Sequence, residues 1–220
     1  MAYIEVNSVH HKFGELEVLR GIDLSIEKKS IVAIVGKSGA GKTTLLQIMG
    51  TLLAPTSGKV VIDGTDVFSL SDKHLAEFRN RNIGFIFQFH QLLPEFTAIE
   101  NVIIPALIAK ENFSDAHKRA RNLLEVLDMS ARLEHKPSEL SGGEKQRVAV
   151  ARALMMNPSV ILADEPSGSL DTQNKKELHN LLLSIREQFN QTIVIVTHDN
   201  ELAQICDEII EMKDGNVVKK

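Results

Sequence analysis

The stretch IVAIVGKSGAGKTTLLQIM, Ile31 to Met49, constrains this chain more than any other part of it. Five apolar residues without a break, Ile31 to Val35, read as a parallel strand covered by helices on both faces. The next eight fit G-x-x-x-x-G-K-[ST], and Thr44 to Met49 reads as a helix. A turn wraps a polyphosphate only if backbone N–H groups converge on it, with side chains out of the way and backbone angles that glycine reaches cheaply. Gly36, Gly39 and Gly41 meet that need within the loop Gly36, Lys37, Ser38, Gly39, Ala40, Gly41, Lys42, Thr43, Thr44. The following helix aims its positive end at the phosphates. Lys42 supplies a point charge for the β and γ groups, and the Thr43 hydroxyl is available to ligate Mg²⁺. The pattern predicts a nucleoside triphosphate site on an α/β fold.

The rest of the chain fits one compact α/β domain with a helical insert. VILA (Val160 to Ala163) and TIVIV (Thr192 to Val196) are further unbroken apolar runs, expected as parallel core strands. The opening third reads as half-exposed antiparallel strands, Tyr3 to Val9, Val18 to Ile26 and Lys59 to Asp63. Between them a helical subdomain is expected over residues 89–156, with the nucleotide-binding core in 1–88 and 157–220. Within the insert, Ser114 is the expected N-cap of a helix whose buried face is Ala116, Ala120, Leu123, Leu124 and Leu127. Leu178, Leu181, Leu182, Ile185 and Phe189 repeat that spacing behind Asp171.

Composition narrows the function. Of 220 residues, 25 are Lys or Arg and 29 Asp or Glu, a net charge of −4 that argues against nucleic acid as a partner. Cys206 is the only thiol, as expected of a reducing cytosol. The N-terminus has no secretory pattern, and the most apolar stretch, Val102 to Ala109, is interrupted by Pro105 and far short of a bilayer span of about 20 residues. Any work at a membrane is expected to be done from outside it.

Two further motifs carry chemistry. Asp164 and Glu165 close the strand Val160 to Ala163, where open α/β sheets place their ligands. Alternation along the chain lets one carboxylate serve the metal and the next an attacking water; Asp164 is assigned to Mg²⁺ and Glu165 to the general base. Leu140-Ser141-Gly142-Gly143-Glu144-Lys145-Gln146 is a second helix start. Ser141 and Glu144 form an S-x-x-E capping box, and the two glycines leave backbone N–H groups bare. That is a second anion site in a chain already holding one for its triphosphate.

GKSGAGKT, Gln88, LSGGEKQ, VILADE, SGSLD (Ser167 to Asp171) and His198 occur in the order and at about the separations of the Walker A loop, Q-loop, signature, Walker B, D-loop and switch histidine of ABC transporter ATPases. The resemblance covers nearly the whole chain. It implies the P-loop ABC ATPase fold, with a parallel core sheet, an N-terminal antiparallel β part and a helical subdomain, and it implies ATP and Mg²⁺ as ligands. It also implies a head-to-tail dimer, in which Ser141, Gly142, Gly143 and Glu144 of one copy face the γ-phosphate held by Gly36 to Thr44 of the other. By the same resemblance Gln88 senses Mg²⁺ and the attacking water, His198 contacts the γ-phosphate, and Phe13, with Val18 nearby, stands where an aromatic ring stacks on adenine.

After Gln88 comes FHQLLPEFTAIEN, Phe89 to Asn101, apolar enough to be either buried by the insert or offered to a partner. The resemblance makes Gln88 to Asn101 the border of the groove that receives a membrane permease subunit. QFHQLLPEFTAIENV, DEPSGSLD and PSELSGGEKQRVAVARAL are similar to the branch that drives release of lipoproteins from the inner membrane of Gram-negative bacteria, acting peripherally on its cytoplasmic face. Macrolide exporters and cell-division ATPases are the neighbouring branches. Ser167 and Ser169 stand where that branch often has Thr and Asn.

Overall fold

The computed structural model of the chain describes residues 2–168 and 170–219. Ser169 of the SGSLD motif lies outside the described residues. In chain order the elements are β1 (Ala2–Phe13), β2 (Leu16–Glu27), β3 (Ile31–Val35), α1 (Lys42–Met49), β4 (Ser57–Ile62), β5 (Thr65–Asp66), α2 (Asp72–Asn82), β6 (Ile83–Phe87), α3 (Ala98–Ile108), α4 (Phe113–Val126), α5 (Gly142–Leu154), β7 (Val160–Asp164), α6 (Thr172–Phe189), β8 (Thr192–Val196), α7 (Asn200–Gln204), β9 (Glu208–Lys213) and β10 (Asn216–Lys219). They form two compact units, Met1–Arg79 with Ile185–Lys220, and Asn80–Ser184.

In the first unit β1 pairs antiparallel with β2 on one side and β4 on the other, and β5 continues beside β4. Ile4, Val6, Val9, Leu19, Ile22, Leu24 and Ile26 are buried from these strands while intervening polar residues meet solvent, as period-two alternation requires. β3 lies between β8 and β9 and runs parallel to both: Ile31 to Ile34 face Ile193 to Val196, and Val32 to Val35 face Glu208 to Glu211. Every residue of β8 and all but Val35 of β3 are buried, which is why their letters are continuously apolar. β10 closes antiparallel on β9. Asp207 pins the start of β3: its carboxylate accepts from Ile31 N–H at 2.7 Å and from Arg186 Nη1 at 2.7 and 2.8 Å.

In the second unit β6 and β7 run parallel, from Ile83 opposite Val160 to Phe87 opposite Asp164. α3, α4 and α5 pack on one another, and α5 also packs on β6. Ala116, Ala120, Leu123 and Leu124 form the buried face of α4, as their spacing predicts. Its N-cap is Asn112 rather than the expected Ser114: Asn112 Oδ1 accepts from the N–H groups of Ser114 and Asp115 at 2.9 and 3.4 Å. Both residue types cap well, so tertiary context chose between two candidates two positions apart. The insert that the sequence predicts from about Phe89 begins as irregular chain; its first helix starts at Ala98, behind a complete Thr97–Glu100 capping box. Among the described residues no helix is long and apolar enough to cross a membrane.

Candidate functional site

In the first unit β3 runs straight into the glycine loop. Gly36 has φ 150°, and a Cβ there would stand 2.2 Å from the Met212 carbonyl oxygen. At Gly41, φ 96°, a Cβ would meet Leu19 Cδ2 at 2.8 Å and Val18 O at 3.1 Å. Neither place admits another residue without displacement of its neighbours. Gly41 is also the N-cap of α1, and no side chain caps that helix end, so its positive pole is left to a ligand. Lys42 is buried, with Nζ donating to Gly36 O at 2.9 Å and Lys37 O at 3.2 Å, which holds the ammonium over the loop. Lys37, Ser38, Gly39 and Thr43 are exposed at the rim, Thr44 is half-buried, and Ala40 is buried beneath, its carbonyl accepting from Gly215 N–H.

Two more predicted residues lie in this unit. Thr197 N–H donates to Ile34 O at 3.2 Å, so β8 ends beside the strand that feeds the loop, and exposed His198 follows at that end. Asp199 Oδ1 then caps α7 through Glu201 and Leu202 N–H. Phe13 closes β1 and is 53% exposed, which removes it from the core. The His11 ring meets it edgewise at 4.6 Å between centroids and 76° between planes. Val18, half-buried on β2, carries the carbonyl that packs against Gly41.

In the second unit the parallel register of β6 and β7 sets Phe87 beside Asp164, so Gln88 and Glu165 leave the two strands side by side. Glu165 has φ 46°, an uncommon left-handed value for this residue type and one found at functional sites. Gly168 N–H returns to Glu165 O at 3.0 Å, and a Cβ on Gly168 would stand 2.9 Å from Gln88 Nε2. Gln88, Asp164, Glu165 and the Ser167–Gly168 turn are therefore one cluster. At α5 the predicted capping box is complete: Ser141 Oγ accepts from Glu144 N–H at 3.2 Å, and Glu144 Oε2 from Ser141 N–H at 2.8 Å. Gly142 and Gly143 open the helix.

Three further residues of the second unit, to which the sequence reading gives no role of their own, act as scaffold. Asn101, fully buried on α3, accepts from Leu93 N–H at 2.8 Å and donates to the carbonyls of Leu93, Phe96 and Thr97 at 3.0–3.1 Å. Arg152 of α5 spans the carbonyls of His90 and Gln91 at 2.7 Å each, and both of those residues have positive φ. Arg132 donates to Glu144 at 2.8 Å. Asn101 and Arg152 hold the segment after Gln88 from two helices, and the segment exposes Phe89 (75%), Leu93 and Phe96. Burial, together with the nearby Lys145 and Arg152 charges, keeps the His90 imidazole below its usual pKa despite an opposing backbone hydrogen bond at Phe89. A polar residue on the buried face of α3 was the only sequence signal for Asn101; the two arginines gave none.

A parallel strand, a glycine-framed loop and an uncapped helix start define a P-loop nucleotide-binding fold. The ABC transporter family model matches residues 19–168. The lipoprotein-releasing system ATP-binding protein LolD of Bacteroides thetaiotaomicron is 60% identical over 216 residues, covering 98% of this chain and 99% of that protein. The protein of the same name from Porphyromonas gingivalis is 58% identical over 212 residues, covering 96% and 97%. A bacterial ABC transporter cassette solved as a dimer superposes with a TM-score of 0.89 at 40% identity, covering 98% of this chain and 97% of that one. A dimeric post-hydrolysis cassette bound to ADP and Pi gives 0.88, also at 40% identity, with the same coverage of both chains. The chain belongs to the ABC transporter family, as one of its ATP-binding cassettes.

Proposed function

We propose that this chain hydrolyses ATP as a head-to-tail dimer and drives a pair of integral membrane permease subunits that release lipoproteins from the inner membrane, working from its cytoplasmic face. The observation that carries the reading is the presence of two glycine-framed helix starts, α1 behind Gly41 and α5 behind Ser141. One bound triphosphate needs only the first; the second serves the γ-phosphate of a nucleotide on another copy. The lipoprotein part rests on the relatives that bear the LolD name. The permease contact is assigned to 88–101, where Phe89, Leu93 and Phe96 are exposed on a segment braced from behind.

Phe13 stacks on adenine beside Val18, Gly36 to Thr44 wrap the phosphates, and Lys42 turns its ammonium from the loop carbonyls to the β and γ groups. Thr43, Asp164 and Gln88 offer a hydroxyl, a carboxylate and an amide oxygen. That all-oxygen set suits Mg²⁺, which typically takes one or two carboxylates together with substrate phosphates. When bound, the ion supplies charge neutralisation at the β and γ oxygens. Glu165 takes a proton from water as the water oxygen bonds to the γ-phosphorus and the bond to the β–γ bridging oxygen breaks; Gln88 orients the water and His198 holds the γ-phosphate. Residues 89–156 form the helical subdomain and the remainder the nucleotide-binding core. As a test, Glu165→Gln is expected to retain ATP binding, to accumulate an ATP-dependent dimer in light scattering, and to lose roughly 10²- to 10⁴-fold in hydrolysis. Near-normal turnover removes the base assignment, and a parent rate per subunit that stays flat on dilution removes the composite site.

A further inference from the structure

The helix end at Ser141 already carries an anion of its own. Glu144 folds back so that its Oε2 accepts from Ser141 N–H, which sets a carboxylate at the positive pole of α5. For the helix alone this is favourable. On the reading above, from which this inference follows, the same pole must also receive the γ-phosphate of a nucleotide on the partner copy. A unit negative charge within one helical turn opposes that arrival. The N–H groups of Gly142 and Gly143 donate to no partner among the described residues and stay available. Glu144, however, stands beside them.

Arg132 answers the conflict. It ends a short helical turn, Ser130–Arg132, and its Nε donates to Glu144 Oε1 at 2.8 Å, so each carboxylate oxygen has a donor and the pair is neutral. The hydrogen bond from Ser141 N–H and then that from Arg132 keep the Glu144 carboxyl below its usual range. With side chains 43% and 28% exposed, such a pair adds little to folding stability. Its consequence is electrostatic and local. We propose that Arg132 is the counter-charge that keeps a glutamate-containing signature helix usable as an anion site, acting through Glu144 on nucleotide-dependent dimer closure. It is a positioning residue and touches no substrate.

The test compares Arg132→Gln, Arg132→Lys, Glu144→Gln and the double variant R132Q/E144Q. The readouts are the ATP concentration giving half-maximal hydrolysis and, with Glu165→Gln added to each, the dissociation constant of the ATP-bound dimer. R132Q is expected to raise both by roughly three- to tenfold, the scale of one uncompensated charge at a helix end. The effect should be larger at low salt, and kcat should change less than KM. R132K should stay within about twofold of the parent, since it retains the charge. In the E144Q background, adding R132Q should change either quantity by less than about twofold. An equal cost of R132Q in both backgrounds overturns the counter-charge role and assigns Arg132 to structure alone. Unchanged values for R132Q, with the ATP-bound dimer still forming, overturn the inference but leave the composite site standing; failure of the parent to form any such dimer overturns both.

Discussion

Asn101 gives the sharpest test of how the segment after Gln88 is held. Its amide oxygen accepts from Leu93 N–H and the two protons of its NH₂ are shared among the carbonyls of Leu93, Phe96 and Thr97, and the side chain is fully buried. Asn101→Ala strips the Leu93 N–H and three carbonyls of these bonds; Thr97 O keeps the α3 backbone bond from Asn101 N–H. A buried group left unpaired costs about 1–3 kcal/mol. The segment is near the surface, with the Leu93 and Phe96 side chains 42% and 41% exposed, so part of that backbone can turn to water. The expected net loss is roughly 2–4 kcal/mol rather than the full sum, a fall in Tm of about 5–15 °C for a chain of this size. Asn101→Asp is the stricter variant because the shape is kept. One oxygen can still accept from Leu93 N–H, but the other replaces an NH₂ group with an acceptor facing three carbonyls, so it should cost at least as much as the alanine. Differential scanning calorimetry reads the loss, and hydrogen exchange at the Leu93 amide localises it. An N101D variant that melts within about 1 °C of the parent with unchanged exchange at Leu93 refutes the bracing argument.

Two other perturbations follow from the same geometry. Arg152→Ala removes the donors to His90 O and Gln91 O, and should lower permease-stimulated ATP turnover in reconstituted vesicles more than turnover of the isolated chain; Arg152→Lys, able to serve one carbonyl at a time, should fall between, and equal losses in both assays would count against the role in coupling. For Asp207, burial pushes the carboxyl up, but Ile31 N–H and the Arg186 guanidinium outweigh it and hold the folded pKa below the usual range. A depressed carboxyl stabilises above its unfolded pKa of about 3.9 and loses that contribution as pH falls through the lower folded value, so Asp207→Asn should flatten the fall of Tm below about pH 4; an unchanged acid limb would show that the pair contributes nothing.

What could be read in the sequence was what neighbours along the chain decide. The glycine loop, the α5 capping box and the continuous apolar letters of β3, β7 and β8 each depend on spacing within a dozen residues, and each has the predicted form. α2 escaped because none of its residues is buried, so no apolar period marks it. β9 escaped because EIIEMK places two adjacent isoleucines, one exposed and one buried, and breaks the alternation that would signal a half-buried strand. The contact of Gln88 with Gly168 depends on the register of β6 against β7, and the grip of Arg152 on His90 and Gln91 joins residues about sixty positions apart. Neither is encoded in any local pattern. The candidate residues were therefore legible, while the scaffold that orients them was not.

The charge balance poses a physical question that these details answer. A chain with 29 acids against 25 Lys and Arg has no net attraction for a polyanion, yet both proposed anion sites are built without one. At the phosphate loop the donors are backbone N–H groups at an uncapped helix end, joined by a single buried ammonium. At α5 they are again backbone N–H groups, and the Glu144 carboxylate that caps the helix is matched by an arginine. Fixed dipoles a few ångströms from a ligand outweigh dispersed surface charges, which salt screens beyond about 10 Å. On the proposed function, recognition of phosphate is thus carried by backbone geometry, and the surface is freed for other uses. In the same proposal the exposed apolar side chains of the segment after Gln88 are one such use, and two helices hold that segment in place through Asn101 and Arg152.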